Sequence, residues 1–483
     1  MEHDAAETGA FDQYLARLGP QLDTFLRFEG SDAVERRDAW TAALSGPLPE
    51  DGIGADAVAD ELERTLIPNG AAMSNPRFYG WITTGPSTIA TVAAAASMVA
   101  APQRYTITAF NHVEELSLEW LAQLCGLREG MRGVYSSGGS VANLVALGAA
   151  RQFAFEQRGV DPAADGVGTA GVAIYTSAEA HHSVHRSAAV LGLGRAAVRA
   201  VPVDEQQRMD VAALAAMIEA DVAAGIVPVA VVAAAGTTNT GAVDPLRAAG
   251  EIARRHGIWF HVDGAYGLVG ILDERVAPLY DGLELADSAI VDPHKWMAAP
   301  VGIAATFVRD RSLLHRAFTQ GPSDYLEGAF AAPEDVETSV DSMGIPYGDL
   351  GVELSAPSRG VVVWSILREI GAAGMRARVR RHNDFARLVA DRARVHPRLE
   401  VLTEPVLSIC CFRYADPDIE DLDAFNSRLL RRLVRETDHV PSSTVVNGAF
   451  AIRPCFLSPR TTEADVADLV EAVIAIGDDL REG

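Results

Sequence analysis

The chain has 483 residues, 48% of them hydrophobic, and 41 Lys and Arg stand against 65 Asp and Glu for a formal net charge of −24. A length of that order suffices for about two or three domains around a large buried core. The negative balance repels phosphate backbones and anionic lipid surfaces, which excludes nucleic acid and membranes as expected partners.

The chain opens on Met1-Glu2-His3-Asp4, acidic and without the basic-then-apolar order of a secretory signal. Cys125, Cys410, Cys411 and Cys455 show no metal-ligand spacing. Reduced thiols in a cytoplasmic protein, with no metal, are the expectation. Adjacent Cys410 and Cys411 would face opposite ways on a strand. From Gly9 to Asn69 apolar residues such as Phe11, Tyr14, Leu15 and Leu18 return at helical spacing, which predicts an N-terminal helical arm. The Ala-rich run Thr88–Ala101, between Pro86 and Pro102, is too short and too weakly apolar to span a membrane. It reads as a helix buried in a subunit or domain contact.

Ser136-Ser137-Gly138-Gly139-Ser140 precedes an apolar helical run and supplies bare amides at a helix start, a geometry that binds a phosphate dianion. Beyond it, strand-like runs (171–176, 227–234, 258–262, 289–291 and 303–308) alternate with Ala-rich helical stretches. That alternation predicts an α/β fold with a mostly parallel sheet covered by helices, whose ligands gather outside the carboxyl ends of the strands. Four motifs fall at such ends: Ala180-His181-His182-Ser183, the turn Gly236-Thr237-Thr238-Asn239-Thr240-Gly241, His261-Val262-Asp263-Gly264-Ala265-Tyr266, and Val291-Asp292-Pro293-His294-Lys295-Trp296. A carboxylate and a lysine on neighbouring strand ends are what pyridoxal phosphate (PLP) requires. The amine can bond the cofactor aldehyde, and the carboxylate can pair with the pyridine nitrogen. Ala265 is small enough to let the ring lie against the strand. Trp296 reads as core packing.

The segment Gly321–Gly348 has the Gly, Pro, Asp and Ser content of a mobile loop. After Trp364 comes a long helix whose Arg376, Arg378, Arg380 and Arg381 predict a solvated basic face, followed by strands at 407–412 and 449–453. The last helix begins at Thr462 with Asp465 as its capping-box partner. The expected division is an N-terminal helical segment (1–100), a large PLP-binding domain (101–365) and a smaller C-terminal α+β domain (366–483).

These motifs resemble the group II PLP-dependent amino-acid decarboxylases, the family of the aromatic-L-amino-acid and glutamate decarboxylases. The resemblance runs from about Asn75 to Arg460. It implies a fold-type I PLP enzyme, a homodimer with shared active sites, that decarboxylates an L-amino acid to the amine. It further implies that Gly139 and Ser140 cradle the phosphate, that His181 stacks on the ring, and that Thr238 lies beside the cofactor. His294 contacts phosphate or the substrate carboxylate, while Lys295 carries the cofactor. Counting back from Trp364, Tyr347 matches a loop tyrosine that reaches the neighbouring subunit's active site as proton donor, and Arg359 matches an arginine of the same element. Phe78, Tyr79, Trp81 and Tyr105 lie where relatives form the side-chain pocket, which favours an aromatic substrate. Arg77 or Arg104 could instead receive an acidic side chain. An alternative on the same fold is a PLP-dependent carbon–carbon lyase or aldolase, or decarboxylation of an acidic or aliphatic amino acid.

Overall fold

A computed structural model describes residues 11–27, 36–104, 108–169, 171–319, 345 and 347–482. Two sheets organise it. Their strands, in chain order, are β1 (Phe78–Tyr79), β2 (Arg132–Ser136), β3 (Val172–Ser177), β4 (Val198–Val201), β5 (Val227–Ala234), β6 (Trp259–Asp263), β7 (Ser288–Val291), β8 (Ala304–Val308), β9 (Leu399–Thr403), β10 (Cys411–Tyr414), β11 (Val440–Val446) and β12 (Ala449–Arg453). The larger sheet has the order β2-β8-β7-β6-β5-β3-β4. Only β8 runs against its neighbours. Its strands are near-continuous runs of buried Val, Ala, Ile and Phe, as a sheet covered on both faces demands. The expected strand runs of this sheet are all present, within a residue or two at each end.

Register then lines up the strand ends. Ala234 pairs with Asp263, and Asp263 with Ile290, so β5, β6 and β7 stop together and release their loops at one rim. Ser136, at the end of β2, pairs with Ala304 at the start of β8 and brings the helix Gly139–Glu156 to the same rim.

The smaller sheet, β1-β11-β12-β10-β9, builds a second core with Phe385, Phe412, Phe456 and the final helix. Strand β1 comes from the N-terminal region yet pairs with β11, so residues far apart in sequence close this sheet. Cys410 packs into the second core and Cys411 into the first, as alternation on a strand predicts. All four cysteines are free and buried. The capping box at the last helix forms as well: Thr462 Oγ1 donates to Asp465 Oδ2 at 2.7 Å, and the Asp465 amide returns to Thr462 Oγ1 at 3.3 Å.

Two expectations need correction. The strand placed at 407–412 starts at Cys411, because the Ser408 amide is drawn to the Tyr266 hydroxyl at 3.1 Å instead of to a neighbouring strand. Arg378 is no solvated group. It is buried and donates to the Met297 carbonyl at 2.9 Å, and burial lowers its pKa to about 10. The helix Thr88–Ala100 buries Ala90, Ala93 and Ser97 but leaves Val92, Met98 and Val99 exposed in this chain.

Behind the rim two backbones touch. Gly236 adopts φ +105°, and a Cβ there would lie 2.8 Å from the Gly267 Cα. Both the left-handed backbone and the contact exclude a side chain. Gly236→Ala should therefore lower stability by at least about 2 kcal/mol, adding backbone strain to overpacking. An unchanged denaturation midpoint would show that the two segments are free to separate.

Candidate active site

The rim encloses a cavity of about 230 Å³ lined by Gly139, Ser140, Asn143, His181, Ala234, Gly236, Thr237, Thr238, Asp263, Ala265, Tyr266, Asp292, His294 and Lys295. Every cofactor-binding position expected from the sequence lies on this wall. Tyr347 does not.

At one end the helix Gly139–Glu156 begins after Gly138, in an extended left-handed conformation with no side-chain cap. The amides of Gly139 and Ser140 have no partner among the described residues. Orphan amides at a helix start favour an anion. Position 139 must be glycine, since a Cβ would meet Asp292 Oδ2 at 2.5 Å.

Lys295 leaves β7 in a tight turn in which its own amide donates to the Asp292 carbonyl at 2.9 Å. Ala298, three residues on, takes φ +60°, so the turn carries backbone strain that the surroundings must hold. The Lys295 amine lies 3.0 Å from Asp292 Oδ2, in a pair whose carboxylate is almost wholly buried. His294 donates from Nδ1 to the Ile303 carbonyl at 2.7 Å, which leaves Nε2 unprotonated in the neutral ring and 3.8 Å from Asp292 Oδ2. Burial lowers the pKa of His294. Trp296 is fully buried, stacked on Tyr266 at 5.1 Å and donating to His382 Nδ1 at 3.0 Å. It is a packing residue, as expected.

Asp263 ends β6. Its Oδ1 accepts from the Ala265 amide at 3.2 Å and its Oδ2 from the Asn143 carboxamide at 2.9 Å. His181 accepts at Nδ1 from Ser183, whose Oγ is 2.8 Å away and whose amide is 3.3 Å away, and burial depresses its pKa. In the 236–241 turn, Thr237 is consumed structurally, its hydroxyl meeting Thr240 and the Ala242 amide, while the Thr238 side chain is exposed at the cavity wall. Buried Arg453 clamps this turn, donating to the carbonyls of Thr238, of Asn239 at 2.7 Å and of Trp81 at 2.9 Å.

Uncapped amides, a carboxylate and a lysine therefore face one cavity, and they suit a phosphate, a protonated ring nitrogen and an aldehyde respectively. The residues fit pyridoxal phosphate. Sequence reasoning missed Asn143, Asp292 and Arg453 as parts of this wall and its support. Asp292 stood within the quoted motif, next to the lysine, and could have been picked out there.

Other residues singled out in the sequence lie away from this cavity. The Tyr347 ring is fully buried and its hydroxyl donates to Glu115 Oε2 at 2.7 Å. Burial, with the Glu115 charge next, pushes its pKa up. Arg359 is spent on a two-pronged pair with Glu353 at 3.1 Å. Arg104 is buried against the carbonyls of Tyr135 at 2.6 Å and Glu353 at 2.9 Å, and Arg77 pairs with Asp465 and Asp468 at 2.9 Å. Neither arginine lines the cavity. Tyr79 packs on Phe456 in the second core, while Trp81 remains 62% exposed with φ 55°. Tyr105 and most of the 321–348 segment lie outside the described residues.

The family model described as the pyridoxal-dependent decarboxylase conserved domain matches residues 42–415. An aromatic-L-amino-acid decarboxylase of Bacillus atrophaeus is 29% identical over 90% of this chain and 88% of its own length. A cysteine sulfinic acid decarboxylase of Mus musculus is 29% identical over 86% of this chain and 85% of its own. Among solved structures, that of Oryza sativa TDC with PLP and tryptamine superposes with a TM-score of 0.87 at 25% identity, covering 99% of this chain and 100% of that one.

Arg453→Ala removes a charged donor from three partly buried carbonyls, and a hydrogen bond to a charged group contributes roughly 1.5–3 kcal/mol. The variant should lose at least about 2 kcal/mol of stability and release PLP more readily, read by denaturation and by cofactor titration. Parental PLP affinity would show that the turn holds itself.

Proposed function

The chain belongs to the pyridoxal-dependent decarboxylase family, and on that premise we propose that it converts an aromatic L-amino acid to the corresponding amine and carbon dioxide. The observation that carries the reading is the placement of Lys295 and Asp263 on one cavity with the uncapped helix start at Gly139. When bound, PLP supplies the ring that accepts the electrons of the breaking Cα–carboxylate bond.

The chain's own residues do the rest. The amides of Gly139 and Ser140 hold the phosphate, aided by the helix dipole. Asp263 keeps the ring nitrogen protonated through charge pairing, and Lys295 Nζ, now beside Asp292, is the amine that bonds the cofactor aldehyde. His181 and Thr238 stand on the wall where they can orient the ring and the substrate carboxylate. Orientation selects the bond that breaks.

For the substrate side chain, the two arginines that could have received a carboxylate are occupied elsewhere. An exposed Trp81 is tied by its carbonyl to the same Arg453 that clamps the cavity turn. With no arginine on the described cavity wall to receive a carboxylate, an aromatic side chain is favoured over an acidic one, and one relative is named for such substrates. We further propose a homodimer, supported by the exposed Val92, Met98 and Val99. Free buried thiols favour a cytoplasmic setting. No described helix is long and apolar enough to cross a membrane.

Amine formation measured across the twenty amino acids tests the substrate. Turnover should be greatest for the aromatic ones, and a preference for acidic ones would overturn that choice.

The reaction returns one proton to Cα, and Tyr347 is proposed as its source once it leaves Glu115. That release costs the bond to a charged acceptor, roughly 1.5–3 kcal/mol, and the raised pKa keeps the phenol protonated until then. Tyr347→Phe should retain PLP, lower amine output and raise oxygen uptake with aldehyde, ammonia and hydrogen peroxide formed, because the unprotonated carbon would then be open to oxygen. Parental amine output without oxygen uptake would leave Tyr347 as a packing residue of the Glu115 cluster.

A further inference from the structure

Behind Asp263 runs a chain of polar groups that starts in the core at Trp259, Ser288 and His261 and reaches the cavity wall through Asn143, Asp263 and His181. Trp259 Nε1 is 2.8 Å from Ser288 Oγ, which is 2.8 Å from His261 Nδ1. His261 Nε2 is 2.9 Å from Asn143 Oδ1. The Asn143 Nδ2 then reaches both Asp263 Oδ2 at 2.9 Å and Ser183 Oγ at 3.0 Å. Ser183 closes on His181 Nδ1.

Chemistry fixes every direction in this chain. A carboxylate only accepts, so Asn143 must turn its NH2 to Asp263 and hence its oxygen to His261. An oxygen facing His261 Nε2 requires that nitrogen to carry the proton. His261 Nδ1 is then a lone pair that takes the Ser288 hydroxyl proton, while Ser288 accepts from Trp259, which can only donate. On the other branch the second Asn143 N–H fills Ser183 Oγ, leaving the Ser183 O–H to donate to His181 Nδ1. The Ser183 hydroxyl, at 2.8 Å, thereby makes His181 Nδ1 the acceptor, and the more distant Ser183 backbone N–H, at 3.3 Å, adds to it.

We infer that His261 is a positioning residue: through the Asn143 carboxamide it aims a donor at Asp263 and holds His181 in the tautomer that carries its proton on Nε2. The inference rests on the proposed function only for what Asp263 and His181 then do, namely pair with the ring nitrogen and offer one N–H to a bound group. His261 itself is wholly buried and absent from the cavity wall. Packing alone would be served by any residue of its size. The carboxamide is what requires a donor, because without one its two ends compete for Asp263 and a flipped oxygen would oppose the carboxylate.

Two variants separate the roles. His261→Phe keeps a ring but removes the donor, whereas His261→Gln keeps an N–H for Asn143 Oδ1 and an oxygen for Ser288. In 15N-histidine spectra of the protein without substrate, with His181 assigned through its own Gln variant, the parent and His261→Gln should show His181 protonated at Nε2. His261→Phe should show a mixture of tautomers. In the PLP-loaded enzyme His261→Phe should lower kcat about tenfold or more, the size of a lost charge-assisted hydrogen bond, with KM nearly unchanged and His261→Gln restoring most of the rate. Should the phenylalanine variant fail to fold, Ser288→Ala applies the same test, since it frees His261 to take the other tautomer and should mix the His181 signals. A His181 protonated at Nδ1 in the parent, or an unmixed His181 tautomer in both His261→Phe and Ser288→Ala, overturns the inference. If no amine forms from any amino acid, the proposed function fails while the tautomer result still decides this point.

Discussion

The main-chain rungs joining Ala234 to Asp263 and Asp263 to Ile290 set up the site, because they make three parallel strands end in one row. An aspartate that is the last residue of its strand, beside a strand whose following turn carries a lysine, puts both on one rim without any special loop. A slip of one residue in that pairing would turn Asp263 to the opposite face of the sheet. Both faces of these strands are buried, so what opposes the slip is the close fit of individual side chains in the two helical layers, which the slip would exchange for one another. Stability of the sheet and placement of the two charged groups are thus one constraint.

A cavity holding two carboxylates and one lysine is electrostatically costly unless each is answered. Asp292 is answered by Lys295 at 3.0 Å, and Asp263 by the Asn143 carboxamide and the Ala265 amide. The buried histidines add no positive charge at neutral pH. Desolvation lowers the pKa of His181 and His294, and that of His261 to about 4. Lys295 is left as the cation of the wall, next to amides that favour an anion. Such a site is prepared for a dianionic ligand and is held by dipoles and hydrogen bonds in place of a crowd of mobile charges.

Much of this was legible in the sequence because it depends on residue type and chain position alone. Small residues before an apolar helix, and an Asp or Lys just past a β-branched run, report their surroundings locally. Cys410 and Cys411 could be assigned opposite faces for the same reason. What stayed hidden depends on partners distant in sequence. Nothing near Asn143 announces that His261, 118 positions away, will fix its orientation. Arg77, Arg104 and Arg378 read as available charges because their carboxylate and carbonyl partners come from remote segments. Tyr347 shows the limit of counting along a chain. The interval to Trp364 gives its position in sequence, whereas the carboxylate of Glu115 determines where its ring packs.

The second core bears on the chemistry through contacts at the back of the cavity. The Tyr266 ring, stacked on Trp296, is pinned by Ser408 at 2.6 Å. Arg453 on β12 grips the 236–241 turn, while Arg378 and His382, on the long helix Gly360–Val395, hold Met297 and Trp296 directly after Lys295. That helix kinks at Gly371, and its buried apolar residues as far as Val379 pack in one core and those from Phe385 onward in the other. A strained turn persists only where its neighbours over-determine it, and the φ +60° of Ala298 sits amid these contacts. The long helix therefore acts on Lys295 through the carbonyl of Met297 and the indole of Trp296. A change in how the two cores pack would be felt first in the direction of the lysine side chain, ahead of any change in the cavity's own composition.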